Sequence, residues 1–182
     1  MKTFTFLLVV LFPFFAAGQP KEAIVNLANK SATEMYGIAK EWFAVSSNPG
    51  EIVIQVDDPK EQKIIGSGVK NIIYILQKYP TFIDVNYALS VQFKDGRFKY
   101  LLYVNSIKYE NGYEMSFEEF KSLTTKEGWD AYRKNAGTKP LFSNKVSSAT
   151  INDVYSLMNS NFDNMIADLT IHLKSEKEDS NW

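Results

Sequence analysis

The chain has 182 residues, of which 45% are hydrophobic, 14% aromatic and 23% charged. This is the make-up of one ordinary globular domain and not of a disordered, collagen-like or multi-spanning protein. A formal net charge of −1 supplies no global positive field to gather phosphate backbones or anionic lipid, which argues against nucleic acid as a partner. Cysteine is absent and histidine occurs once, so disulfides, thiolate metal sites, thiol nucleophiles and multi-histidine metal sites are excluded, and no metal or other cofactor is expected.

Residues 1–18 read as a secretory signal. Met1 and Lys2 supply a positive start, Thr3 to Phe15 an apolar run, and Ala16-Ala17-Gly18 the small residues before a cut ahead of Gln19. The apolar run, with Pro13 inside it, falls short of the ~20 residues needed to span hydrocarbon as a helix. Removing the segment takes one lysine and leaves nineteen positive groups against twenty-one acidic ones, a net charge of −2. No cysteine follows the cut to carry a lipid. The expected product is a single soluble domain over residues 19–182, periplasmic or extracellular, with no membrane insertion after cleavage. A chain of this size buries roughly two-thirds of its unfolded surface, enough to fold without covalent staples.

Ala23 to Leu27 is a short β-prone stretch with Val25 and Leu27 on one face. Ser31 and Glu34 then have the spacing at which each satisfies the other's free amide at a helix start. The helix runs to about Val45, with Met35, Ile38, Ala39, Trp42 and Phe43 on one apolar stripe, and ends at the breakers Ser46-Ser47-Asn48-Pro49-Gly50. From Glu51 to Val56 the residues alternate, Ile52, Ile54 and Val56 on one side and Glu51, Val53 and Gln55 on the other. Asp57-Asp58-Pro59 stops that strand. Gln62 to about Ile75 is strand-like again, with Gly66 and Gly68 marking a bulge or bend, and Tyr79-Pro80 interrupts before the next run.

The strongest local signal lies between Phe82 and Tyr109. Ile83, Val85, Tyr87, Leu89, Val91 and Phe93 are apolar at every second position, and Asp95-Gly96 offers the two positive-φ positions of a type I′ turn. That turn predicts the pairs Phe93 with Phe98, Val91 with Tyr100, Leu89 with Leu102 and Tyr87 with Val104. A slip of one residue would move a whole apolar set to the wrong face. Beyond Tyr109, Ser116 and Glu119 repeat the capping spacing before a short helix through Phe117, Phe120 and Leu123, and Glu127 to Lys134 predicts a second. Gly137 to Ser148 is loop-like. A long helix follows from about Thr150 to Lys174 with Ile151, Val154, Tyr155, Met158, Phe162, Met165, Ile166, Leu169 and Leu173 on a continuous stripe, and the tail from Ser175 to Trp182 is charged and polar until its last residue.

Two amphipathic helices and about five strands, four of them consecutive, predict an α+β fold: a single antiparallel sheet with both main helices on one face. Three segments carry a resemblance. They are Tyr36 with Ala39-Lys40-Glu41-Trp42-Phe43, then Ile64-Ile65-Gly66-Ser67-Gly68, then Tyr87 through Lys94-Asp95-Gly96-Arg97-Phe98-Lys99-Tyr100. In this order they resemble DUF4468, an exported bacterial family of unknown function with a fold like that of the TATA-binding protein, over roughly residues 22–109. The resemblance implies a β-α-β-β-β-β-α core and an origin in Bacteroidetes-like bacteria, and it brings no activity or catalytic residue. The short helices within 110–148 then read as an insertion.

No residue is assigned a catalytic role. His172 is expected to cap helix carbonyls or meet solvent; Asp57, Asp58 and Glu61 lack the oxygen spacing of a calcium loop; Gly66-Ser67-Gly68 lacks the lysine and following helix of a phosphate loop. The open sheet face is the candidate site. With Phe98, Tyr100, Leu102 and Val104 toward the helices, Leu101, Tyr103 and Ile107 face away, beside Gln55, Gln92 and Lys99 as polar rim. The expectation is a non-catalytic exported domain that binds an envelope or extracellular protein, peptide or glycan there. Coverage of that face by Phe117, Phe120 or Trp129 is the competing outcome, a homodimer through the same face is another, and an envelope hydrolase using paired carboxylates is the alternative function.

Overall fold

The computed structural model describes residues 20–45, 52–76, 78–135 and 146–175. The leader, the breakers Ser46 to Gly50, most of the Gly137 to Ser148 loop and the tail after Ser175 lie outside the described residues. In chain order the elements are β1 (Lys21–Asn26), α1 (Ala32–Val45), β2 (Ile52–Asp58), β3 (Lys63–Leu76), β4 (Tyr79–Lys94), β5 (Arg97–Tyr109), β6 (Glu114–Ser116), α2 (Phe117–Ser122), α3 (Lys126–Asn135) and α4 (Ser148–Lys174). The strands form one antiparallel sheet in the order β1-β5-β4-β3-β2, with β6 also paired to β5. The fold is α+β, as the element order predicts.

A serine hydroxyl starts three of the helices, α1 and α2 where the sequence predicts it and α4 slightly ahead of the predicted start near Thr150. The Ser31 hydroxyl accepts the Glu34 amide at 3.2 Å, Ser116 accepts that of Glu119 at 3.1 Å, and Ser147 that of Thr150 at 3.3 Å, each satisfying one orphan donor of a first turn. Helices α1 and α4 lie on the same face of the sheet. Trp42 of α1 donates its indole N–H to Asp168 of α4 at 2.7 Å, and Phe162 of α4 meets Tyr87 of β4 edge-on at 5.2 Å. Between them and the sheet, Met35, Phe43, Leu89, Val91, Phe93, Phe98, Met158 and Leu169 are almost fully buried in one core.

The hairpin pairs form as predicted: Phe93 with Phe98, Val91 with Tyr100, Leu89 with Leu102, Tyr87 with Val104. The turn differs from a type I′ turn. Gly96 has φ +74°, but Asp95 is not among the positive-φ residues. Tertiary bonds set the turn instead: the Asp95 carboxylate accepts the Ala32 amide at 2.8 Å, the Gly96 amide donates to the Lys30 carbonyl at 2.8 Å, and the Leu27 amide donates to the Gly96 carbonyl at 2.8 Å. Tyr79-Pro80 opens β4 rather than interrupting the chain, Pro80 pairing with Ile75. Pairing with β5 stops at Ile83, so past it β4 has a partner on one side only, where a missing N–H is tolerated.

Two bulges change the alternation that the sequence suggests. In β2 the register shifts between Ile54 and Val56, so Gln55 is the extra residue and Val56 pairs with Ile65 on the open face. Strand β3 itself runs unbroken through Gly66 and Gly68. Gly66 serves close approach: a Cβ there would lie 2.7 Å from Phe43 and 2.9 Å from Ile52. In β5, Tyr87 pairs with Val104 and Asn86 with Ser106, leaving Asn105 as the extra residue. Ile107 therefore pairs with Val85 and is fully buried toward the helices. The expectation that Ile107 faces away is corrected by this bulge.

The inserted elements stay on the helix side. Met115 of β6 pairs with Ile107, Phe117 stacks on Tyr155 of α4 at 6.2 Å, and Phe120, Leu123 and Trp129 join the same core. Gly128 lets α3 begin close against α2, since a Cβ there would stand 2.1 Å from the Ser122 carbonyl oxygen.

Candidate functional site

Register and alternation together lay out the open face row by row. One row runs Glu22, Leu101, Ser90, Ile65, Val56 from β1 to β2, and the next contains Tyr103, Ala88, Ser67 and Val53. Small residues thus occupy the middle strand in both rows, and in the second Ser67 extends them onto β3. Ser90 is 7% exposed and Tyr103 38%. Toward the far end of β3 apolar groups recur at Val69, Ile73 and Ile75, with the polar row Asn71, Asp84 and Lys108 between Val69 and Ile73; Ile73 stands opposite Phe82, and Ile75 is 67% exposed. Exposed apolar groups gathered on one face of a sheet are an ordinary signature of an interaction surface. Among the described residues no helix crosses it.

Five of the six sequence-predicted residues can be placed against this face. Leu101 and Tyr103 lie on it, Leu101 half-buried. Gln92 and Lys99 pair with one another at its hairpin end, and Lys99 is held by Glu22 at 2.9 Å. Gln55 is exposed at the β2 bulge, its amide reaching the Val53 carbonyl at 3.5 Å. Ile107 is elsewhere, in the core. Sequence reasoning missed Val53, Val56, Val69, Ile73 and Ile75. For Val69, Ile73 and Ile75 the signal was the alternation within β3, which sets them at odd-numbered positions opposite the core residues Ile64 and Ile72; Val53 and Val56 lie on β2.

The polar end of the face has a defined electrostatic character. Ile24, Gln92, Lys94, Arg97, Phe98 and Lys99 line a shallow pocket of about 170 Å³, and Lys63 pairs with Gln92 beside it. At the other end, Asn86 donates to Ser106 at 2.8 Å and to Glu114 at 3.2 Å, and Ser106 also bonds Glu114, closing a polar cluster under β6.

The acidic residues near the β2–β3 turn separate to opposite sides of the sheet. Asp57 lies toward α1, bonded to Tyr36 and paired with Lys40 at 2.6 Å. The Lys40 bond first, then the Tyr36 bond, holds its carboxyl below the usual range, while burial and Asp57 push the Tyr36 hydroxyl up to about 12. Asp58 accepts the Lys60 and Glu61 amides at 3.0 Å each. His172 lies at the end of α4 with Nδ1 2.9 Å from the Asp168 carbonyl. On the helix side, Trp42, Ile52, Lys70, Tyr87, Met165 and Asp168 line a cleft of about 250 Å³. No helix of the described residues is long and apolar enough to cross a membrane.

Comparison with known proteins bears on this fold. Residues 22–110 match the family model described as a domain of unknown function, DUF4468, with TBP-like fold. The structure resembles a DUF4468 family protein from Bacteroides ovatus, with a TM-score of 0.64 and 16% identity over 87% of this chain and 88% of that one. It also resembles a TBP-like protein from Parabacteroides distasonis, with a TM-score of 0.61 and 12% identity over 87% and 94% of the two chains. At these identities the likeness is one of fold. It extends well beyond the stretch matched by the family model, which is about half of the chain. No curated protein matches.

Proposed function

Starting from a chain whose residues 22–110 belong to the DUF4468 family, we propose that it is an exported, non-catalytic domain that docks a protein partner on its open sheet face. One observation carries the reading: Ile24, Val53, Val56, Val69, Ile73, Ile75, Phe82 and Tyr103 are all large, apolar and exposed. A folded domain gains by burying such a surface against something. The chemistry of the face favours a protein segment over a glycan, because branched aliphatic side chains match other apolar side chains, whereas sugars stack on flat aromatic rings. The leader-like residues 1–18 support export, which places the partner in the envelope or outside it.

A hydrolase built on paired carboxylates lacks comparable support. A general acid needs a carboxyl moved upward, and Asp57 is moved downward.

The test is affinity capture from the envelope fraction of the native host, with wild-type protein beside the Val53→Ser/Val56→Ser/Tyr103→Ser variant. A protein enriched by the wild type and lost from the variant is the expected result. Identical capture by both would overturn the proposal, as would self-association of the wild type alone, read by light scattering.

A further inference from the structure

The hairpin end of the open face concentrates positive charge. Lys94 and Arg97 face each other across the β4–β5 turn, Gln92 and Lys99 form the next pair, and Lys63 continues that row on β3. Lys99 is neutralised by Glu22. Lys63, Lys94 and Arg97 have no ion pair among the described residues. Carboxylates stand around this corner too, and hydrogen bonding to amides does not remove their charge: Glu22 pairs with Lys99, Asp58 accepts the Lys60 and Glu61 amides, and Asp95 accepts the Ala32 amide. The pocket itself is lined by Lys94, Arg97 and Lys99 with no carboxylate among the described residues that line it, so its own wall is cationic beside an apolar surface.

From this arrangement we propose that the corner pocket selects acidic side chains of the protein segment that docks on the open face. The inference rests on the docking reading and adds the chemistry of the partner: apolar residues for the sheet centre, followed by aspartate or glutamate for the corner.

Two features favour separate carboxylates on an extended segment over a single compact anion. The cations are set out along the sheet surface on β3, β4 and β5, with strands spaced ~4.8 Å apart, rather than converging with backbone amides on one point. Arg97 also presents a planar fork that fits a carboxylate with two parallel bonds. The mount is rigid, because three hydrogen bonds tie the Asp95-Gly96 turn to the β1–α1 connection. A rigid mount lowers the ordering cost of binding.

The experiment titrates isotope-labelled protein, residues 19–182, with a capped octaglutamate peptide at low salt, following backbone amide shifts. Separate arms use inorganic phosphate at matched ionic strength, phosphatidylglycerol vesicles, and the neutral apolar dye Nile red. The expected result is saturable shifts at Lys63, Lys94, Arg97 and Lys99 with octaglutamate, weakened about fivefold or more by Lys94→Gln/Arg97→Gln or by raising salt past the screening range. The variant is an exposed neutral change, and retained shifts at Leu89 and Val91 report its fold. Phosphate saturating the same amides as tightly would make the pocket a free-anion site and overturn the inference. Vesicle binding that depends on Lys94 and Arg97, without octaglutamate shifts, would also overturn it. If octaglutamate leaves the corner unmoved while Nile red still shifts Tyr103 and Val53, the acidic-partner inference fails and the docking reading stands. If both probes fail, both fall.

Discussion

The helix side of the sheet and its open side are built from the same strands, residue next to residue, yet they obey different constraints. On β4, Leu89 and Val91 are wholly buried beneath α1 and α4, while Ala88 and Gln92, one step away, stay partly open. On the helix side the large side chains that face the sheet are packed into one core. On the open side Ile73, Ile75 and Val53 have solvent. The lesson is that the helix side carries the stability of the domain, while the open side leaves large apolar groups in solvent. Substitutions should therefore separate into those that unfold the protein and those that leave it folded.

The largest effect is expected from deleting Asn105 and Ser106 together. Ile107 would then follow Val104 directly, so Ile107 and Tyr109 would turn to the open face and Lys108 inward, losing about 3–6 kcal/mol of apolar burial. Chemical denaturation should find this variant unfolded or nearly so, whereas deleting Asn105 alone removes only the extra residue and keeps Ile107 opposite Val85. A double deletion as stable as the wild type would mean that the spacing between Val104 and Ile107 does not decide which face Ile107 occupies.

Next comes a matched pair of truncations. Phe93, packed between Tyr36 and Phe98, should cost about 3–5 kcal/mol when changed to alanine. Tyr103→Ala on the open face should fall within about 0.5 kcal/mol of the wild type. Comparable losses at the two positions, read from urea midpoints, would erase the distinction between the faces.

The smallest effect is pH-dependent and belongs to the helix side. Asp57 has a lowered carboxyl value, so its contribution is complete above the ordinary 3.8 and fades as pH falls through the folded value. Tyr36 is raised to about 12, so its contribution is complete below the ordinary 10.0 and is lost as pH climbs toward 12. Tyr36→Phe should soften both limbs of a stability–pH curve. It should not abolish the alkaline one, because burial also raises Tyr109, Tyr74 and Tyr113.

The hairpin register, the long α4 stripe and the capping serines at Ser31 and Ser116 were legible because each is a local pattern, period two, period 3.6, or a three-residue spacing. The bulges were less so. A sign of the one in β5 was present: apolar residues occupy even positions through Val104 and odd positions from Ile107, with Asn105-Ser106 between. Extending the even alternation across that pair misplaced Ile107. The Gln55 bulge has no such sign, since Val56 is apolar whichever side it takes. The three-residue β6 is too short for periodicity, and its partner β5 decides it. The Asp95 conformation follows from bonds to Ala32 and the neighbouring loop, which no local window contains. The centre of the candidate site was therefore found through Leu101 and Tyr103. Its β3 half was missed although the strand itself was predicted over nearly its whole length, because its alternation was not followed past Gly66 and Gly68 to Val69, Ile73 and Ile75.

The most direct measurement places a photo-crosslinking amino acid at Tyr103 on the open face and, in a second protein, at Ile171, an apolar residue 65% exposed on α4. Both are expressed in the native host and irradiated in living cells. The account predicts a discrete crosslinked species of protein mass from position 103 and none from position 171. Equal crosslinking at both positions, or crosslinking from 171 alone, would contradict it.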